Sequence, residues 1–189
     1  LRITRDPAQD MNLRRTALQA LWRFSKAMVG EIEALVLDAT LDEELRVAAA
    51  RFAANPVEGT PTRLFQKALE SYDTLPLAVI AMLVGSASRS LQAAGAEDLL
   101  VRVIEDNRLC AESGIDDLVS ILVRLTNNDN ALAVLKAPER LRQALDKLEK
   151  ALPANRQAYV ATAIKTLREK LPAAAPAQPA GKLIGDDVF

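Results

Sequence analysis

Apolar residues recur at three- and four-residue steps along most of the chain, a period that predicts helix after helix. The first such run spans Pro7 to Leu37, with Leu13, Ala17, Ala20, Leu21, Phe24, Met28 and Leu35 as its stripe. Asp6-Pro7 reads as its N-cap and first position, and Gly30 as a place where it kinks or splits. A second helix is expected over Leu41–Ala54, capped by Thr40 and stopped by Asn55-Pro56. A third starts at Thr60-Pro61 and runs to about Tyr72. The fourth, Leu75–Ala94, is apolar nearly all round in its first half, which predicts a central helix touched on every side. Its second half holds Ser86, Ser88, Arg89, Ser90 and Gln92, too polar for the roughly 20 apolar residues of a membrane span.

Gly95 reads as a stop, followed by a helix over Ala96–Glu112 with Cys110 on its inner face. Gly114 is a second stop before Ile115–Thr126, whose first turn carries Asp116 and Asp117. After the polar turn Asn127–Asn130, a short helix over Ala131–Lys136 leads to Pro138. That proline opens a helix with the seam Leu141, Leu145, Leu148 and Leu152, and Arg142–Asp146 and Asp146–Lys150 are placed to pair on its surface. Pro153 opens the last helix, with Val160, Ala163, Ile164, Leu167 and Leu171 inward. Segments 61–94 and 96–127 are similar in length, close to the repeat lengths of helical solenoids. The expected fold is therefore all-α: an irregular multi-helix bundle or a short HEAT- or armadillo-like stack. It comprises one helical domain over residues 1–171.

At Pro172 the pattern stops. Residues 172–180 contain only Pro, Ala and Gln, a linker that favours extended backbone. Residues 181–189 then present Leu183-Ile184, the acidic pair Asp186-Asp187 and Val188-Phe189. Apolar residues beyond a linker predict a short motif that docks on a partner, a neighbouring copy or the helical body itself; the other reading is the start of a following segment. The chain opens on Leu1 and not on methionine, which fits a processed start or a piece of a longer protein.

Composition removes much chemistry. The 189 residues include no His and one Cys. That excludes His-based metal centres, Cys-rich zinc sites and Ser-His-Asp or Cys-His triads. Cys110, alone on an apolar face, reads as a small core residue and not a nucleophile. Asp116-Asp117 and Asp42-Glu43-Glu44 have the charge for a divalent cation, but each stands where helix starts recruit acids. No glycine-rich phosphate loop occurs. No cofactor, metal or catalytic residue is expected, and the chain does not read as an enzyme.

Charge adds one feature. The total is −1, but residues 1–26 carry +4, 95–120 carry −5 and 136–170 carry +5. These blocks either neutralise one another within the fold or meet an outside partner. The functional expectation is a non-catalytic protein–protein interaction module: an adaptor, scaffold or regulatory subunit of a cytoplasmic assembly. The lone thiol and the charged start, with no secretory pattern, suggest the compartment. Candidate partner-binding residues are Leu183, Ile184, Asp186, Asp187, Val188 and Phe189, with Arg14 and Arg15 on the basic N-terminal helix. The partner is expected to be a protein, a second copy included. The alternatives are a nucleic-acid-associated module using Arg14 and Arg15, which the balanced total charge disfavours, and an accessory helical domain of a larger enzyme.

Overall fold

The computed structural model describes residues 1–24, 28–53, 63–110 and 114–173, with backbone only at Trp22, Phe24, Asn107 and Arg156. These form eleven α-helices: α1 Arg2–Arg5, α2 Met11–Phe24, α3 Val29–Leu37, α4 Glu43–Ala53, α5 Leu64–Glu70, α6 Leu77–Ala87, α7 Ala96–Glu105, α8 Ile115–Thr126, α9 Asp129–Ala133, α10 Pro138–Ala151 and α11 Ala154–Lys170. Short 3-10 turns follow α5 (Tyr72–Thr74) and α7 (Asn107–Cys110), and no strand occurs among the described residues.

The helices alternate between two layers. In one, α5 packs on α7 and α7 on α10; in the other, α2, α4, α6, α8 and α11 pack in chain order. Contacts of α1 with α2, α3 with α4, α6 with α7 and α10 with α11 join the layers. The described residues form the expected all-α multi-helix fold.

A repeated device closes the first two pairs. Arg14 on α2 donates Nε–H to the Thr4 carbonyl at the end of α1 (3.0 Å), and Arg46 on α4 donates likewise to the Val36 carbonyl near the end of α3 (2.9 Å). Both arginines are buried. The last carbonyls of a helix have no intrahelical partner, and the dipole makes that end negative. A planar guanidinium from the second helix satisfies both demands. The aspartates that end these first helices repeat too. Asp6, Asp38 and Asp106 all sit at C-caps with extended backbone, and each carboxylate accepts the N–H two residues on, from Ala8, Thr40 and Arg108.

This corrects the start of the chain. Asp6 ends α1 instead of starting a helix; Asp10 takes that role, accepting from Asn12 N (2.9 Å) just ahead of α2. The long run over Pro7–Leu37 is two helices, α2 and α3. Its stripe also turns: Leu13 is 45% exposed while Leu18 is fully buried beside Arg14, because the inner face carries the carbonyl-clamping arginine. Thr40 does not cap α4; it lies in the preceding turn with its hydroxyl on Asp38 (2.6 Å). The expected turn and cap over Asn55–Pro61 lie outside the described residues.

Further along, α6 ends at Ala87, where Ser88 bends its hydroxyl back to the Gly85 carbonyl (2.9 Å). Gly95 is left-handed (φ 79°), but as the residue that starts α7 and not as a stop. A Cβ there would fall 2.8 Å from the Gln66 backbone nitrogen. The helix expected over Ala96–Glu112 ends at Glu105, and Cys110 lies in the following 3-10 turn. The helices α8, α10 and α11 follow the expected spans, with Leu141, Leu145, Leu148 and Leu152 buried, as are Val160, Ala163, Ile164, Leu167 and Leu171. The short helix after α8 sits two residues earlier than expected, because Asn128 caps it by accepting from Ala131 N (3.1 Å).

Charge ties the stack together. Asp98 and Glu105 on α7 bind Arg140 and Lys147 on α10, and Arg14 and Arg15 bind Asp42 and Glu44. The acidic block 95–120 and the basic block 136–170 meet in the first two pairs, while the basic N-terminal block pairs with acids at the start of α4 that belong to neither block. Glu97 is nearly buried and accepts the N–H groups of Lys136 (2.9 Å) and Ala137 (2.8 Å), fixing the entry to α10. The expected pairs within α10 do not form as drawn. Arg142 turns to the Leu171 and Pro172 carbonyls at the end of α11, and Asp146 binds Arg168.

Candidate functional site

Because α6 contacts α4, α7 and α8, it is central, but it is not covered on every side. Residues Ala78, Ala81, Met82 and Gly85, at helical spacing, face a groove of about 600 Å³ between α4, α6 and α8. Val47 from α4 and Ile121 from α8 complete an apolar floor. Small side chains on α6 leave the trough, and Met82 supplies a pliable wall.

The rim is charged. Arg51, Arg89 and Arg124 line the groove together with Asp117. Arg51 is in the last turn of α4, Arg124 in the last turn of α8, and Arg89 lies two residues past α6. Cations at these positions offset the negative helix ends, which is their structural role. Arg124 donates to the Gly85 carbonyl (2.8 Å) and Arg89 to the Ser86 hydroxyl (3.2 Å). All three guanidinium-bearing residues remain exposed, so the groove combines an apolar floor with a positive margin.

Two further hollows flank it. One, about 400 Å³ between α2 and α4, shares Arg51 and adds Arg15, Gln19 and Phe52. The other, about 360 Å³ between α8 and α11, is apolar around Val123 and Tyr159, two of the most exposed large side chains.

The N-terminal candidates are engaged within the fold. Arg14 is 4% exposed, with its guanidinium on the Thr4 carbonyl and Asp42. Arg15 is half-exposed and pairs with Glu44 (2.7 Å). The tail candidates Leu183, Ile184, Asp186, Asp187, Val188 and Phe189 lie outside the described residues. Cys110 is half-buried, and burial, aided by the negative charge of Asp106, pushes its thiol pKa up, the direction that suppresses thiolate chemistry. Burial raises the Tyr72 phenol as well; its ring lies under Arg102 (5.0 Å) and Arg108 (5.5 Å) and serves packing. Among the possible cation-binding acids, Asp42 and Glu44 hold Arg14 and Arg15, and Asp116 accepts from the Tyr159 hydroxyl (3.3 Å). Among the described residues no three Asp, Glu or Cys side chains gather at metal-binding spacing, and no helix is long and apolar enough to cross a membrane.

The arginine rim escapes a linear reading because its members come from the ends of α4 and α8 and from the turn after α6, each about one repeat from the next. The signal exists once the pairs are aligned: α2, α4, α8 and α11 all carry arginine in the last turn. Set against protein-family models, curated proteins and solved structures, the chain matches none.

Proposed function

We propose that the chain is a non-catalytic protein-interaction module, an adaptor, scaffold or regulatory part of a cytoplasmic assembly, and that it binds through the α4–α6–α8 groove. The observation that carries this reading is the open face of α6. The most apolar helix of the stack leaves one stripe uncovered, and that stripe lies at the bottom of a trough. An extended or helical segment laid there buries apolar side chains while its polar groups meet the arginine rim. The groove residues offer binding chemistry and no nucleophile–base pair, which favours recognition over catalysis. Engagement of Arg14 and Arg15 by Asp42 and Glu44 weakens the rival reading of a nucleic-acid contact through the N-terminal helix.

The test is affinity capture from the native cell with three baits: the full chain, an Arg89→Glu variant and an Arg15→Glu variant. Arg89 is exposed on the groove rim and Arg15 lies outside the groove. The reading expects protein partners that Arg89→Glu loses and Arg15→Glu keeps. Partners that survive Arg89→Glu and vanish with Arg15→Glu, or capture abolished by nuclease treatment, overturn it.

A further inference from the structure

We propose that the chain associates with a second copy of itself through the face formed by α8 and α11, the two copies packed antiparallel about a two-fold axis. This goes beyond the reading of the α4–α6–α8 groove, which uses the other flank of α8.

The chemistry of the face is the first ground. The hollow of about 360 Å³ between α8 and α11 is lined by Val119 and Val123 from one helix and by Tyr159, Thr162 and Thr166 from the other. Among the described residues no charged side chain lines it. Val123 is 44% and Tyr159 52% exposed, so two large side chains of one hollow face water. A single exposed apolar residue needs no explanation, whereas two that share an uncharged hollow make a patch. Depletion of charge with tyrosine at the centre is the composition of an interface core. A strongly charged partner would lose its hydration there and find no counter-charge in return.

Charge placement selects the occupant. The α11 helix runs parallel to α8: Tyr159 near its start meets Asp116 at the start of α8, and Lys170 at its end meets Asp129 just past the end of α8. The face therefore has a direction. Its α8 edge opens on the exposed Asp116 and Asp117 and closes on the exposed Arg124 and Asn127. Arg124 donates to the neutral Gly85 carbonyl and keeps its positive charge. On α11 the exposed Lys165 and Glu169 lie in the last two turns. Turning a second copy through a half-circle lays α8 on α8 and α11 on α11 in opposite directions. Asp117 and Arg124 stand two turns apart on one flank of α8, about 10 Å along the axis. A two-fold axis crossing α8 near Ser120 brings Asp117 of each copy opposite Arg124 of the other at the rim. Lys165 and Glu169 then come opposite the start of α11, where Asn155 and Ala158 are exposed. The face is its own electrostatic complement, the condition for an isologous contact.

Size sets the strength. The 17 residues of α11 make it about 25 Å long. Two helices side by side are about 20 Å across, so the face offers about 500 Å² per copy. A total of about 1,000 Å² lies at the low end of specific interfaces, that of weak and transient pairs. The dimer is accordingly weak and concentration-dependent.

The experiment is sedimentation equilibrium of the full chain from about 5 μM to about 500 μM, a range that brackets weak association. The weight-average mass rises with concentration from the monomer value toward twice that value. Val123→Glu and Thr162→Glu, both at exposed positions, each put a carboxylate into the uncharged centre and hold the chain monomeric. Unchanged circular dichroism and melting show that their fold is intact. Asp117→Arg alone and Arg124→Asp alone each set like charges opposite one another and weaken self-association by about three- to tenfold, the size of exposed charge-pair effects. Mixed in equal amounts the two variants associate again, because each pair across the axis is once more opposite in sign. A monomer across the whole range, a dimer that persists in Val123→Glu and Thr162→Glu, or a mixture that associates no better than its two components overturns the proposal.

Discussion

Leu83→Ala tests the load carried by α6. Leu83 is fully buried, on the side of the helix turned away from the groove, whereas the adjacent Met82 is half-buried on the groove floor. Truncation to alanine removes three carbon groups. At about 0.8 kcal/mol each the transfer loss is about 2.4 kcal/mol, and an unrelaxed cavity brings the total to about 3–5 kcal/mol. Because α6 touches α4, α7 and α8, collapse from any one side is resisted by the other two, which favours the upper half of that range. Met82→Ala removes a side chain already facing water on one side and is expected to cost about 1 kcal/mol. Urea denaturation followed by far-ultraviolet circular dichroism reads both. With a slope of about 2 kcal/mol per molar, Leu83→Ala lowers the midpoint by about 1.5–2.5 M and Met82→Ala by about 0.5 M. Equal shifts for the two variants, or a Leu83→Ala shift under about 0.3 M, would show that α6 is not the centre of the stack.

Four other outcomes follow from the same geometry. Gly95→Ala forces a Cβ to 2.8 Å from the Gln66 backbone at a left-handed residue, and a melting-temperature drop corresponding to at least 1–2 kcal/mol is expected; an unchanged melt contradicts the close approach. Glu97→Ala strips two backbone N–H groups at the entry to α10 of their acceptor and should cost about 2–3 kcal/mol by chemical denaturation, against less than 0.5 for the exposed Val123→Ala. Cys110 should react with an aromatic disulfide reagent far more slowly in the native chain than in urea at neutral pH, since burial and Asp106 hold its pKa up; equal rates would point to an open, activated thiol. Asp38 is held below the usual carboxylate range by the Thr40 hydroxyl, then the Thr40 N–H, with a smaller part from Arg5. Its contribution is present above the unfolded value, near pH 4, and is lost as pH falls through the lower folded value. Thr40→Val should therefore narrow the gap between stability at pH 6 and at pH 2–3, and an unchanged gap would remove Asp38 from the acid response.

What the sequence made legible depended on how local the signal was. The helices α8, α10 and α11 announce themselves through strong amphipathic spacing, first-turn acids and prolines at 138 and 153. The break between α1 and α2 did not, because Asp-Pro looks the same whether it ends one helix or begins another; only the extended backbone at Asp6 decides it. Arg14 is read on a linear scale as surface charge, yet its guanidinium belongs to the end of α1, ten residues back. The same holds for Arg142, whose acceptors lie on α11 and not on its own helix surface. The groove was hidden for a related reason. An apolar helix looks equally buried on all faces until its neighbours are placed, and α6 is open on one face only because Ala78, Ala81 and Gly85 are small and no fourth helix packs there among the described residues.

The most direct measurement of the central claim is amide hydrogen exchange of the full chain, alone and with a partner recovered by the groove-dependent capture. If the α4–α6–α8 face is the binding surface, slowed exchange gathers in residues 47–53, 78–89 and 117–124, while α2 exchanges as before. Slowed exchange confined to α2, around Arg14 and Arg15, with the groove unchanged, contradicts the account.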